Sequence, residues 1–193
     1  KTLKPVPNSP VELNGEIDFQ FLMPMAGRGS RFKGGVAKPL VSVLGEPMYR
    51  AAVKSFPRAS KYVFVLRSEI LNEVKNSFQD FKNSSFVCLD EVTEGQAVTC
   101  LKAEKELNSN KPVFVTSCDH GMVWNKDKWS SCLNQDPDVV VWAQRQYPMA
   151  SVTPKAFAYI DTEKNSAIIK SVSVKSPNPG EVLVTILSKT GNG

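Results

Sequence analysis

Glycines and basic side chains crowd one short stretch of the chain, residues 19–40, which reads FQFLMPMAGRGSRFKGGVAKPL. An apolar run ends there in Pro24, and a loop then carries Gly27, Arg28, Gly29 and Arg31, with Lys38 following seven residues after Arg31. Glycines let a backbone turn tightly and bring several N–H groups toward one point, which makes a cradle for an anion. Two arginines and a lysine around such a cradle make a polyphosphate its natural guest. A basic surface turn between a strand and a helix would have the same glycine spacing. The loop lacks the third glycine of a dinucleotide fingerprint, and no Gly-Lys-Ser/Thr follows to make a Walker A loop. Pro39 biases Lys38 toward an extended backbone, which would aim the lysine.

Three further places could carry chemistry. Asp119 ends the run VFVTSCD, where a strand has no packing use for an acid. It reads as a ligand for Mg²⁺, which takes one or two carboxylates together with phosphate oxygens and water, or else as a turn or helix-cap aspartate. His120 is the only histidine, and neighbours on a strand point to opposite sides, so it reads as structural rather than as a metal ligand. In the segment TEGQA, Gly95 would admit a flat ring and Gln96 could read a base edge; a capped helix with a small packing residue is the equal alternative. Lys175, in IIKSVSVKSP, is an exposed lysine by itself and a second phosphate holder if the last strands fold back to the same crevice.

The elements that must position these residues follow from the apolar pattern. Short apolar runs recur at 19–23, 62–66, 86–89, 113–116, 139–142, 157–160, 168–174 and 182–187. The early ones are near-continuous and β-branched, as in strands covered on both faces. Helices fill the gaps: one opened by Pro47 and running to Phe56, and one capped by Ser68 with Ile70, Val74, Phe78 and Phe81 on a face. A third starts from a Thr93/Gln96 capping box and runs to about Leu107, and a fourth covers 127–133. Strands alternating with helices predict βαβ units and a mostly parallel, doubly wound sheet, with antiparallel strands from Phe157 onward. Ligands of such sheets bind beyond the carboxyl ends of the strands, which is where the glycine loop, residues 90–96 and residues 118–120 would meet.

Composition sets the frame. A chain of 193 residues with 41% hydrophobic and 22% charged residues is long enough for one well-packed domain, here 19–193 preceded by a proline-rich extended arm over 1–18. No apolar run approaches the ~18 residues of a membrane helix, and the first residues lack a secretory signal pattern. Cysteines at 88, 100, 118 and 132 match neither a C-x-x-C pair nor a disulfide framework, so reduced thiols and a cytoplasmic location are expected. The net charge of +5 and pI near 9.0 could suit nucleic acid, but the lysines are scattered and no nucleic-acid module appears. Neither nucleic acid nor a membrane is an expected partner, and association into a homo-oligomer is left open.

The segment PMAGRGSRF followed by KPL resembles the signature of the sugar nucleotidyltransferases, which join a nucleoside triphosphate to a sugar phosphate or similar small phosphate. LDEVTEGQAV, FVTSCDH and SVKSP follow in that family's order, so the resemblance covers residues 19–178. It is closest to the short cytidylyltransferase-like members linked to capsule and surface-polysaccharide genes. The resemblance implies a three-layer nucleotidyltransferase fold, a CTP- or UTP-like nucleotide, a phosphorylated acceptor, release of pyrophosphate and a Mg²⁺ cofactor. It implies that Ala26, Gly27, Arg28, Gly29 and Ser30 line the nucleotide and its phosphates, while Arg31 and Lys38 hold the triphosphate and the charge of the leaving pyrophosphate. Glu94, Gly95 and Gln96 would lie near the base, Asp119 would bind the metal, and Lys175 the acceptor phosphate. The likeness lapses near the C terminus, where no acid follows Glu181 to act as the family's second metal ligand. That departure implies a chain truncated there or one that has drifted, and makes a weak or inactive nucleotide-binding member the alternative reading.

Overall fold

Strand β1 (Gln20–Pro24) is buried along its whole length, and its alternate side chains enter two different cores. The computed structural model describes residues 18–29, 35–77, 81–163 and 167–176, and the backbone of 181–188. Ser30, Arg31 and Phe78, and the arm up to residue 17, therefore lie outside the described residues. The chain divides into two compact units, one reaching to Val139 and including the end of the last strand from Leu187, the other Val140–Ile186.

In the first unit, β1 is followed by a small hairpin of β2 (Ser42–Val43) and β3 (Glu46–Pro47), then α1 (Met48–Lys54) and β4 (Lys61–Arg67). Next come α2 (Leu71–Ser77), β5 (Ser84–Leu89), α3 (Gln96–Leu101), β6 (Val113–Val115) and α4 (Lys126–Leu133). The four strands of the sheet in this unit lie in the order β5-β4-β1-β6, and every pairing among them is parallel. Phe21, Tyr62 and Phe114 share a register row and therefore a face, against which Phe56, just past the C-cap of α1, packs. Phe21 stacks on Phe114 at 5.7 Å, and Phe56 closes on Phe114 at 5.0 Å. The next row reverses the direction: Leu22, Val63 and Val65, with Val113, form a separate cluster with Ala103, into which Cys100 of α3 packs. Helices thus cover both faces, as the uninterrupted apolar runs predicted, and each large side chain so buried contributes about 1.5–3 kcal/mol.

The helices themselves differ from expectation at their ends. Pro47 stands at the N-cap of α1, and its extended ψ of 138° makes the turn from strand to helix. Ser68 opens a 3-10 turn, and its hydroxyl bonds Asp90 Oδ1 at 2.6 Å instead of capping α2. The capping box does not form: Gly95 is the N-cap of α3, and the Thr93 hydroxyl meets Gly95 O and Thr99 Oγ1. That helix stops at Leu101, well short of 107, because the chain turns there to bury Ala103 and enters a 3-10 turn at Glu104–Glu106. A buried glutamine on β1, Gln20, fixes the return to β6 by bonding both the N–H and the C=O of Asn108.

The second unit contains most of β7 (Val139–Gln144), then α5 (Pro148–Val152), β8 (Ala158–Thr162), β9 (Ile169–Val174) and β10 (Glu181–Ser188). β8 runs antiparallel to both β9 and β10, and β7 pairs with β10. Antiparallel strands after Phe157 were expected; the short helix α5, opened by Pro148, was not. Among the described residues no helix is long and apolar enough to cross a membrane.

Candidate functional site

Strand order decides where a ligand would sit in the first unit. From β1 the chain moves outward to β4 and β5, then crosses back to lay β6 on the other side of β1. The segments after β1 and β6 therefore leave the carboxyl ends of adjacent parallel strands at the point where the strand order reverses, which is where ligands of such sheets bind. The glycine loop follows β1, and Ser117–His120 follow β6.

The loop begins with Met25, whose N–H bonds Val65 O at 2.8 Å, and Ala26; both are buried, while Gly27 and Arg28 are exposed. Gly29 has φ of +60°, the left-handed region that favours glycine, and a Cβ on it would stand 3.0 Å from Lys38 Cβ. Glycine is thus needed at 29 both for the turn and for the close passage of Lys38. Lys38 itself heads a single 3-10 turn, Lys38–Leu40, with Pro39 buried beneath; the extended residue is Ala37, not Lys38 as the proline had suggested.

Lys38 Nζ meets Asp119 Oδ2 at 2.5 Å across the crevice. The acid does not end a strand: β6 stops at Val115, and Asp119 sits in a turn closed by His120 N–H to Ser117 O. That turn reverses the expectation that Asp119 and His120 diverge. Ser117 Oγ donates to Asp119 Oδ1 at 2.7 Å and also contacts His120 Nδ1, which lies 3.4 Å from the same carboxylate oxygen. A hydroxyl has one proton, and a carboxylate can only accept; with that proton directed to Asp119, His120 meets Ser117 with Nδ1–H.

The His120 imidazole, the Lys38 ammonium and the Ser117 hydroxyl hold the Asp119 carboxyl well below the usual carboxylate range, against partial burial, which acts the other way. Lys38 brings its ammonium to within 2.5 Å of the carboxylate. Next to this exposed cluster, Cys118 is buried, and burial pushes its thiol up to about 11. All four cysteines are free, although Cys88 on β5 is exposed rather than packed.

The remaining candidates are placed separately. Glu94, Gly95 and Gln96 are exposed beyond the end of β5, at the same carboxyl edge and two strands from β1. Gly95 has an extended backbone, φ 179°, and nothing within 4 Å of a Cβ, so its glycine is not demanded by the fold. Lys175 is exposed at the end of β9 in the second unit, in the left-handed region at φ 56°, with its N–H on Phe157 O. Among the described residues no group of three or more His, Cys, Asp and Glu side chains converges as a preformed metal cage. Asp119 offers one ionised carboxylate, which suits a hard cation completed by phosphate oxygens and water rather than by protein. Sequence reading missed Ser117, whose partner two residues on was the available signal.

Residues 24–168 match the MobA-like NTP transferase domain. The chain belongs to that family. No curated protein matches this family member at the level of sequence. Solved structures share its fold. The inositol-1-phosphate CTP transferase from T. maritima is 14% identical, with a TM-score of 0.70, over 88% of this chain and 70% of that one. A protein assigned as a glucose-1-phosphate thymidylyltransferase from Bacillus anthracis is also 14% identical, with a TM-score of 0.66, over 89% and 71%. HddC from Yersinia pseudotuberculosis complexed with GMP-PN is 15% identical, with a TM-score of 0.61, over 88% and 76%. At such identities the likeness is one of fold. Within this MobA-like NTP transferase domain lie the glycine loop, Lys38, residues 94–96 and Asp119, whereas Lys175 falls beyond the matched residues.

Proposed function

We propose that this chain is a nucleotidyltransferase that joins a pyrimidine nucleoside triphosphate to a sugar phosphate or other small phosphorylated acceptor, releasing pyrophosphate. The carrying observation is the Lys38–Asp119 pair beside the glycine loop at the sheet's switch point, in a member of an NTP transferase family. The solved structures that share its fold include an inositol-1-phosphate CTP transferase and a protein assigned as a glucose-1-phosphate thymidylyltransferase, which supports the acceptor class.

An acceptor phosphate oxygen attacks the α-phosphorus, the bond from that phosphorus to the bridging oxygen breaks, and pyrophosphate leaves with the bonding electrons. The attacking oxygen is already an anion, so no strong base is required, and catalysis reduces to positioning and charge neutralisation. In this reading Ala26–Ser30 line the nucleotide and its phosphates. Lys38, freed from Asp119, and Arg31 neutralise the triphosphate and the leaving group. Glu94, Gly95 and Gln96 approach the base. Asp119 fits Mg²⁺ as a single carboxylate ligand, and a bound Mg²⁺ would supply positive charge to the phosphate oxygens. Ser117 keeps that carboxylate oriented.

A thermal-shift panel of CTP, UTP, dTTP, GTP and ATP with Mg²⁺ tests the nucleotide. A ligand at a hundredfold its dissociation constant stabilises by about 2.7 kcal/mol, which is several degrees for a domain of this size. Pyrophosphate release with each triphosphate and a set of sugar phosphates tests the reaction. Binding without release from any pair would leave only the reading of an inactive nucleotide-binding member. Absence of both would end the proposal.

A further inference from the structure

Ser55 caps the C-terminal end of α1, only 5% exposed, and it works on two sides. Its hydroxyl donates to Ala52 O at 2.7 Å within the helix and accepts the Met122 N–H at 3.0 Å from outside it. Its carbonyl accepts the indole Nε1–H of Trp124, also at 3.0 Å. Between these, Gly121 passes so near that a Cβ on it would stand 3.4 Å from Ser55 Oγ. Residues 121–124 continue directly from Asp119 and His120, so this staple fixes the downstream end of their turn. At the opposite end of α1, the Met48 N–H donates to Val41 O at 2.8 Å, closing the helix onto the turn that Lys38 opens. One seven-residue helix is therefore tied to both chain segments that carry the Lys38–Asp119 pair.

From this geometry we infer that Ser55 is a positioning residue: through Met122 and Trp124 it holds the Asp119 turn in place beside the segment that carries Lys38. The catalytic part of this inference rests on the proposed nucleotidyl transfer. Ser55 touches neither Asp119 nor any substrate group in this account; it acts on where the carboxylate stands. Small displacements of a charge-neutralising group lower turnover more than they lower binding.

Two variants test it. Ser55→Ala removes the acceptor of the Met122 N–H, and Trp124→Phe removes the indole donor while keeping a ring. Each is expected to lower kcat about tenfold or more while the nucleotide KM stays within about threefold, in protein that still melts cooperatively. The chain has one histidine, so labelled imidazole gives a single set of proton–carbon cross-peaks that reports on the turn without any need for turnover. Those cross-peaks are expected to shift or broaden in both variants. Unchanged His120 signals in both overturn the inference, as does a fall in melting temperature with kcat intact. If the wild-type protein releases no pyrophosphate, the proposed function fails, and the His120 signals alone decide whether Ser55 holds the turn.

Discussion

Lys38 Nζ and Asp119 Oδ2 stand 2.5 Å apart although 81 residues separate them in the chain. The pair is about a third exposed, 26% for the lysine side chain and 35% for the aspartate, so its contribution to stability is small, about 0–1 kcal/mol. A strong contact with little stabilising effect is what a site needs if the lysine is to change partners when a phosphate arrives.

Stability and turnover should therefore separate in the variants of this pair. Lys38→Ala and Asp119→Ala are each expected to lower turnover about 10²-fold or more, the usual effect of losing one transition-state charge contact. Their melting temperatures should fall by only a few degrees. The double variant should be far less than the product of the two losses, because the groups act together. Steady-state kinetics and calorimetry on the three proteins check this, and near-normal turnover in either single variant would remove that residue from the mechanism.

Much of this arrangement was legible in the sequence, and the failures have physical causes. Strands β1 and β4 showed as unbroken apolar runs because both of their faces are buried, with Phe21 and Leu22 entering opposite cores. The glycine loop, Lys38 and Asp119 could be chosen because each stands out locally: glycines and cations crowded into one short loop, and charge beside an apolar run. Helix ends were harder. Thr93 and Gln96 have the spacing of a capping box, yet Thr93 is drawn to Thr99, and Ala103 ends the helix by turning inward to the core. The closeness of His120 to Asp119 was hidden because neighbours on a strand point apart, whereas the turn closed on Ser117 brings the two together. Ser55 carried no signal at all, since its partners lie 67 and 69 residues away and meet it only in the fold.

The Asp119 carboxyl predicts a pH dependence of stability with a definite sign. Its folded value lies below its unfolded value of about 3.9, first through His120 and then through Lys38 and Ser117. A group so depressed stabilises the folded state above its unfolded pKa and loses that effect as pH falls toward the folded value. Wild type should exceed Asp119→Asn by a margin that is present at about pH 5 and shrinks below about pH 4. With a third of the side chain exposed, solvent screening limits the margin to about 1 kcal/mol. Urea denaturation of both proteins between pH 3 and pH 7 (roughly the span of the effect) reads it directly. A margin that grows between about pH 5 and about pH 3 would contradict the pairing.

Thiol reactivity offers a check on the packing behind the site. Cys118 is 4% exposed, and burial pushes its thiol, like that of Cys100, up to about 11. Cys88 is exposed on β5. Because the thiolate is the reactive form, brief maleimide treatment near neutral pH should modify Cys88 and spare Cys118 and Cys100 until the protein is unfolded. Mass spectrometry of the digested protein assigns the sites. Early modification of Cys118 would mean that the turn carrying Asp119 opens readily, contrary to its anchoring on Ser55.

The two glycines of the cradle should behave differently, and the difference separates folding from ligand binding. Gly29 lies at φ +60° and would place a Cβ 3.0 Å from Lys38 Cβ, so Gly29→Ala meets both backbone strain and a side chain that must move. Left-handed strain alone costs about 1–2 kcal/mol, enough to lower the melting temperature by several degrees in a chain of this length. The displaced lysine should also lower kcat. Gly27 has nothing within 4 Å of the position a Cβ would take, so Gly27→Ala should leave stability within about 0.5 kcal/mol. In the proposed complex that space belongs to the nucleotide, and Gly27→Ala should raise the nucleotide KM with the melting temperature unchanged. Calorimetry and initial rates on the two variants decide the matter. A destabilised Gly27→Ala protein would show that the loop's glycine at 27 serves the fold, and a Gly27→Ala protein with wild-type KM would show that the phosphates pass elsewhere.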